Sequence, residues 1–345
     1  FVMPQNWLSQ TTYKHQRERL LRHVTWNLLV RLGPGAFETI SGEVVKAILL
    51  TMTHAKPAEN QSLQALDASA PKTAQQKAVL LKSGELVLLS QLGQRSNPDS
   101  IVMFGEVGQA ALFSAVAGCF QGTSTGDNAR FTRAFWEIDV AKGDAAYFQG
   151  PAESTTLYGG RESVVFWKGV QTFQGSAVRG ESAWGQRGVG VGQMQSLPAT
   201  LYCGSLFANS TPVIVPIKED DLAAVWCFCS SPEFAGELRK INQKLSVDNG
   251  YVGKIPFDID RWRDAAEIAF PAGVPGQLSH EPNQWIFHGH PRPAAETLQV
   301  AVARLVGYHW PAERDSKMDL SDEARAWVSR CAELEVLCDE DGIVC

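Results

Sequence analysis

Residues 25–53, TWNLLVRLGPGAFETISGEVVKAILLTMT, restrict what this chain can fold into more than any other stretch. Residues 26–32 and 44–52 are apolar, rich in aliphatic and β-branched side chains, and short enough to be strands. Gly33-Pro34-Gly35 stands between them. Glycine tolerates positive φ and proline lacks a backbone donor, so neither run continues through it. The pattern predicts two adjacent strands around a turn-rich loop, with a helix over 11–23 on one face of the sheet. The loop carries an aromatic residue, Phe37. Its ring either folds back into the core, where most phenylalanines lie, or stays outside as a flat surface for stacking.

The flanking segments extend this α/β reading. Residues 1–3 read as the end of a buried parallel strand. Pro4, Asn6 and Trp7 then fall just past its C-terminal edge, where open α/β sheets bind ligands. In the helix that follows, Ser9, Thr11 or Thr12 offers an N-cap. Tyr13, Leu20 and Leu21 are expected to face the sheet, with Lys14, Arg17, Arg19 and Arg22 on a solvated face. Residues 55–100 are polar, alanine-rich and without a clear period, and read as a connector. The turn-forming SNPDS at 96–100 marks the expected end of that connector.

A second informative stretch is CFQGTSTGDNARFTRAFWE, residues 119–137. The run 122–128 is small and polar and forms a loop whose amides, hydroxyls and Asn side chain suit phosphate or base-edge contacts. Arg130 and Arg133 stand among Phe131, Phe135 and Trp136, and cations interleaved with aromatics are a common nucleic-acid surface. An ordinary exposed turn with two surface arginines is the competing reading. Residues 138–217 are rich in Gly, Thr, Val and aromatics and read as short strands, among them 163–167 and 212–215. GVGVG at 188–192 lacks the spacing of a dinucleotide loop. Helices are expected over 219–230, 233–245, 258–268, 294–307 and 320–338, with a strand at 252–257. His288-Gly289-His290 has no accompanying carboxylate motif, so no metal site is expected.

The 345 residues are enough for two domains. No apolar run approaches the roughly 20 residues that span a bilayer. The chain opens without a signal-peptide pattern and inside a predicted strand, so it is expected to be an internal piece of a longer protein. Seven cysteines without CxxC spacing suggest reduced thiols and a cytoplasmic setting. Net charge is −6, unevenly spread: residues 1–217 carry 18 basic against 15 acidic groups (+3), and residues 218–345 carry 13 against 22 (−9). Gripping a polyanion needs local positive charge, which directs attention to the first part.

The segments FVMPQNWL and YKHQRERLLRHVTWNLLVRLGPGAFETISGEVVKAILL resemble the end of the catalytic domain of N6-adenine DNA methyltransferases. The similarity is to the large single-chain kind of type IIG restriction-modification and BREX- or DISARM-like phage defence. GTSTGDNARF is similar to the element that opens the target-recognition region in that family, and KIPFD and QWIFHGHP continue the likeness.

The resemblance implies the C-terminal part of a Rossmann-like methyltransferase sheet over 1–54, then a connector over 55–100. An α+β target-recognition region would follow over 101–290, and a helical segment over 291–345. It implies that Phe37 stacks on a flipped adenine and that Pro4, Asn6 and Trp7 edge the substrate pocket. Thr125, Gly126, Asp127, Asn128, Arg130 and Arg133 would contact DNA. Double-stranded DNA is the implied partner, with other defence subunits possible companions. S-adenosylmethionine is the implied cofactor, bound mainly upstream, because no glycine-rich cofactor loop and no Asn/Asp-Pro-Pro-Tyr/Phe tetrad occurs here. A non-catalytic DNA-specificity module and a nuclease-linked restriction subunit are the alternatives, although no PD-x(D/E)xK pattern is present.

Overall fold

A computed structural model describes residues 1–37, 46–104, 111–134, 144–194, 196–242 and 246–275, with isolated helical positions at 326, 329, 332 and 333. The fold is mixed α/β with several sheets, and it divides into two compact units. The first comprises Phe1–Ala111 with two returning segments, Glu237–Gln243 and Lys254–Phe257; the remainder forms the second.

The first unit contains β1 (Val2–Pro4), α1 (Lys14–His23), β2 (Thr25–Gly33), β3 (Ala47–Thr53), β4 (Ser62–Asp67), α2 (Ala74–Ser83), β5 (Val87–Ser90) and α3 (Gln91–Ser96). Its five-stranded sheet runs in the order β1-β3-β2-β4-β5. The expected pair is present, as β2 and β3 lie antiparallel with Leu29 opposite Leu50. The first two residues of the predicted 44–52 strand lie outside the described residues. Central strand β2 is covered on both faces, which is why its sequence is nearly continuously apolar. Leu29, with Trp7, Leu21, Trp26, Ile48 and Leu63, fills one side. Val30 and Leu32, with Leu66 and Ala68, fill the other.

Four expectations need correcting here. Residues 1–3 are not a buried parallel strand, because β1 pairs antiparallel with β3 and leaves Phe1 and Val2 exposed. Residues 55–100 are not a loose connector, since β4 runs parallel to β2 and β5 antiparallel to β4 in the same sheet. Their side chains alternate, and the short, half-exposed strands gave too little apolar signal to read. Helix α1 takes no side-chain cap from Ser9, Thr11 or Thr12 and is entered through a 3-10 turn at Thr11–Tyr13. Finally, Arg17 is not on a solvated face; it is fully buried. Its guanidinium donates to four backbone carbonyls, Trp7 O (2.9 Å), Gln10 O (2.7 Å), Asp99 O (3.0 Å) and Ser100 O (3.2 Å).

The SNPDS turn is the counterpart of this anchor. Asp99 and Ser100 adopt left-handed backbone conformations, φ 53° and 49°, which aim their carbonyls at Arg17. Such positions cost non-glycine residues free energy and persist only where the surroundings hold them. The Asp99 carboxylate pairs with Lys14 and Lys254. Burial alone would push that carboxyl up, but the two ammonium groups hold it below the ordinary carboxylate value. A carboxyl depressed on folding contributes stability that is present above its unfolded pKa and lost as pH falls through the folded value. Asp99→Asn is therefore expected to lower unfolding free energy at neutral pH and to flatten its decline below about pH 4. Denaturant titrations at a series of pH values check this, and parallel curves for variant and parent would refute it.

The second unit contains β6 (Ala117–Phe120), α4 (Asn128–Phe131), β7 (Thr132–Ala134), β8 (Ala145–Gln149), β9 (Ser163–Phe166), α5 (Trp167–Thr172), β10 (Gly188–Val191), β11 (Ala199–Tyr202), β12 (Leu206–Phe207), β13 (Val213–Pro216), α6 (Leu222–Cys229), α7 (Pro232–Ile241) and α8 (Ile259–Ala269), with α7 continuing into a returning segment of the first unit. One sheet is ordered β11-β10-β13-β6 and is antiparallel throughout; the other is β12-β8-β9-β7. The predicted strands near 163–167 and 212–215 are found within one residue. GVGVG supplies β10, where a side chain on Gly188 would meet the Ile214 carbonyl at 2.4 Å, so glycine there serves close strand packing. The expected strand at 252–257 is instead a 3-10 turn, Asn249–Lys254. Phe228 of α6 meets Phe113 and Phe234 edge-on and Trp262 of α8 at a tilt, closing that part of the core. The predicted helices at 294–307 and 320–338, and His288-Gly289-His290, lie outside the described residues.

Candidate nucleic-acid interface

The loop before α4 is built from its base upward. Gly122 admits no side chain, because a Cβ there would lie 2.3 Å from the Ala208 carbonyl. The Thr123 hydroxyl donates to Arg179 O and accepts from Arg179 N, and Ser124 exchanges both backbone hydrogen bonds with Ala177. The Thr125 hydroxyl donates to Asn128 Oδ1 at 2.5 Å. Gly126 is left-handed, φ +75°, and a Cβ would strike the Gly175 carbonyl at 2.4 Å. Asp127 Oδ1 accepts from Arg130 N at 3.1 Å and caps the short helix. The buried threonines hold the loop down, and the next five residues, Gly126 to Arg130, are all exposed. The small polar residues therefore fix a rigid platform, and few of them have side-chain groups left to meet a ligand.

The two arginines divide. Arg133 Nη1 is committed to the carbonyls of Ala129 (2.8 Å) and Thr132 (2.6 Å). Its guanidinium also lies over the Phe166 ring at 5.8 Å. Arg130 is exposed, and its guanidinium lies 5.0 Å from the centre of the Phe131 ring and 5.5 Å from that of Phe173. The rings themselves meet at 5.3 Å. No acceptor or carboxylate engages the Arg130 guanidinium among the described residues. Phe173 and Phe166 were not read from the sequence as part of this surface, since they lie about forty residues away and no periodicity joins them to it. Phe135 and Trp136 lie outside the described residues.

In the first unit, Gly33 and Gly35 are both left-handed, φ +64° and +70°. A Cβ on Gly35 would lie 2.2 Å from the Lys72 carbonyl. The turn therefore packs against the chain that follows β4, and Phe37 emerges from it 40% exposed. Pro4 ends β1 opposite Ala47. Asn6 is exposed and its carbonyl accepts from Ser9 N and Gln10 N. Trp7 is a core residue instead of a pocket edge, 4% exposed and stacked on Trp26 at 5.8 Å. Its large apolar ring is worth more inside the sheet than at a wet rim.

Burial pushes the Cys119 thiol up to about 12 and Cys229 well above its ordinary value, which keeps both protonated. Among the described residues no group of three or more His, Cys, Asp or Glu could hold a metal ion, and no helix is long and apolar enough to cross a membrane.

No protein-family model and no curated protein matches the chain. Several solved structures are similar in fold. One is the Type IIL restriction-modification enzyme MmeI in complex with DNA, 13% identical, with 78% of this chain and 41% of that one covered and a TM-score of 0.49. A nuclease-deletion mutant of the Type ISP restriction-modification enzyme LlaGI with a DNA substrate mimic is 9% identical, with 81% and 30% covered and a TM-score of 0.44. A DrdV–DNA complex is 9% identical, with 77% and 37% covered and a TM-score of 0.41. The chain thus spans less than half the length of these structures. At such identities no residue's role passes from one to the other.

Proposed function

We propose that this chain is part of a site-specific DNA adenine-N6 methyltransferase acting in restriction-modification or phage defence. In this reading the first unit supplies Phe37 as a stacking surface for a flipped adenine, and the second unit recognises the target. The observation that carries it is the platform at 126–130, five exposed residues on a base fixed by buried threonines and obligatory glycines. A rigid, exposed loop with a cation raised on aromatic rings suits a charged, flat-edged polymer.

S-adenosylmethionine would serve as methyl donor. The residues that hold such a donor in the resembled family, a glycine-rich loop and a Pro-Pro tetrad, do not occur in these 345 residues, so no chemical step is assigned to the chain itself. A DNA-specificity module without catalysis is the second reading. Further defence subunits and a cytoplasmic setting belong to the proposal too.

Duplex binding by the full protein, followed by fluorescence anisotropy over a salt series, tests the shared part. Affinity is expected to fall with log salt at about 0.9 per phosphate contacted. No binding at low salt would sink both readings. Transfer of labelled methyl groups to adenine N6 in duplex DNA, measured on the intact protein, separates them, since a module without catalysis transfers none.

A further inference from the structure

Resting on the reading that the second unit binds duplex DNA, we infer that Arg130 reads a guanine base in the major groove and does not neutralise a phosphate. Three features of its setting point this way. The guanidinium carbon lies 5.0 and 5.5 Å from the centres of two rings, Phe131 and Phe173, whose bulk narrows the positions the group can take. Among the described residues its N–H donors are unengaged, while Arg133 beside it is tied to carbonyls. The nearest acidic side chain along the chain, Asp127, also stands on the exposed platform, three residues before it and capping the Arg130 amide.

A phosphate site needs positive charge and little orientation, and a neighbouring carboxylate weakens it by repulsion. A guanine presents two acceptors, O6 and N7, at fixed spacing in the major groove, which match two parallel donors of one guanidinium. A base edge is uncharged overall, so Asp127 does not repel it, and an adjacent cytosine amino group would find an acceptor there. Aromatic rings under the cation supply the restricted orientation that a bidentate pair requires. Asn128 is fixed in turn by the Thr125 hydroxyl, so the platform presents a shaped polar edge beside the arginine.

The test selects binding sites for the full protein from a randomised duplex pool, then repeats the selection with Arg130→Lys and Arg130→Ala. The parent is expected to enrich a site with a guanine at one position that both variants lose, all other positions being unchanged. Discrimination at that position should drop by about 5- to 150-fold, with the salt slope intact. Arg130→Lys keeps a cation over both rings, so a folding defect in the alanine variant does not blur the outcome. Retention of the guanine preference by Arg130→Lys would overturn the inference. Uniform weakening across all sequences by Arg130→Ala, with the salt slope reduced by about one, would show a phosphate contact and overturn it too. A parent that binds duplex without any sequence preference refutes the inference alone; a parent that binds no duplex refutes the underlying reading with it.

Discussion

On the proposed methyltransferase reading, Phe37→Ala is expected to lower methyl transfer to duplex DNA by about 5- to 150-fold in the intact protein while leaving the affinity for the proposed donor, S-adenosylmethionine, nearly unchanged. A base inside a duplex is out of reach of a methyl donor, so it must be turned out and held. Stacking on an aromatic ring contributes about 1–3 kcal/mol per base, which sets the size of the effect. Gly33 and Gly35, left-handed and packed against the chain after β4, set where Phe37 leaves the sheet. Being 40% exposed, the ring makes only part of the contacts that a core phenylalanine makes. The alanine variant should therefore keep its melting temperature to within a few degrees. Phe37→Trp should be much milder, because the flat face survives. A large drop in melting temperature together with lost cofactor binding would show that the ring is structural.

Arg17→Ala is expected to destabilise the first unit by about 1.5–3 kcal/mol or more, the range for losing a single buried hydrogen bond to a charged group, since four are lost together. The guanidinium joins four carbonyls from two separate segments: the turn after β1 at Trp7 and Gln10, and the left-handed pair Asp99 and Ser100. Removing it strands buried acceptors and releases the strain at φ 53° and 49° into local unfolding. Arg17→Lys should recover only part of the loss, since one ammonium group cannot span the positions that a planar fork reaches. Urea unfolding of the parent and both variants measures it. Equal stability of the parent and the alanine variant would show that water replaces the guanidinium without cost.

The strands of the central hairpin were legible because their composition alone excludes other outcomes. Nine consecutive positions of β2 are mostly apolar and the Gly-Pro-Gly turn forbids continuation, so two neighbouring strands could be read, whereas the register that sets Leu29 opposite Leu50 could not. The loop at 122–128, which leads into α4 at Asn128, was legible for the same reason, since small polar residues around a glycine leave few alternatives. Trp7 and Arg17 show where that logic ends. Apolar periodicity reports how often a side chain turns inward, but it carries nothing about which distant carbonyls wait there. Arg17 is buried because Asp99 and Ser100, more than eighty positions later, turn their carbonyls toward it. Trp7 is buried because Trp26 offers a stacking face. Likewise β4 exists as a strand because β2 presents an unpaired edge, and β5 because β4 then presents one in turn, each a tertiary template that a weakly apolar segment can join. The division of labour between Arg130 and Arg133 was decided in the same way. Both are arginines in one short motif, and local sequence treats them alike. Phe173, packed on Phe131 from about forty residues away, stands against one guanidinium, whose donors are unengaged among the described residues, while the carbonyls of Ala129 and Thr132 claim the other.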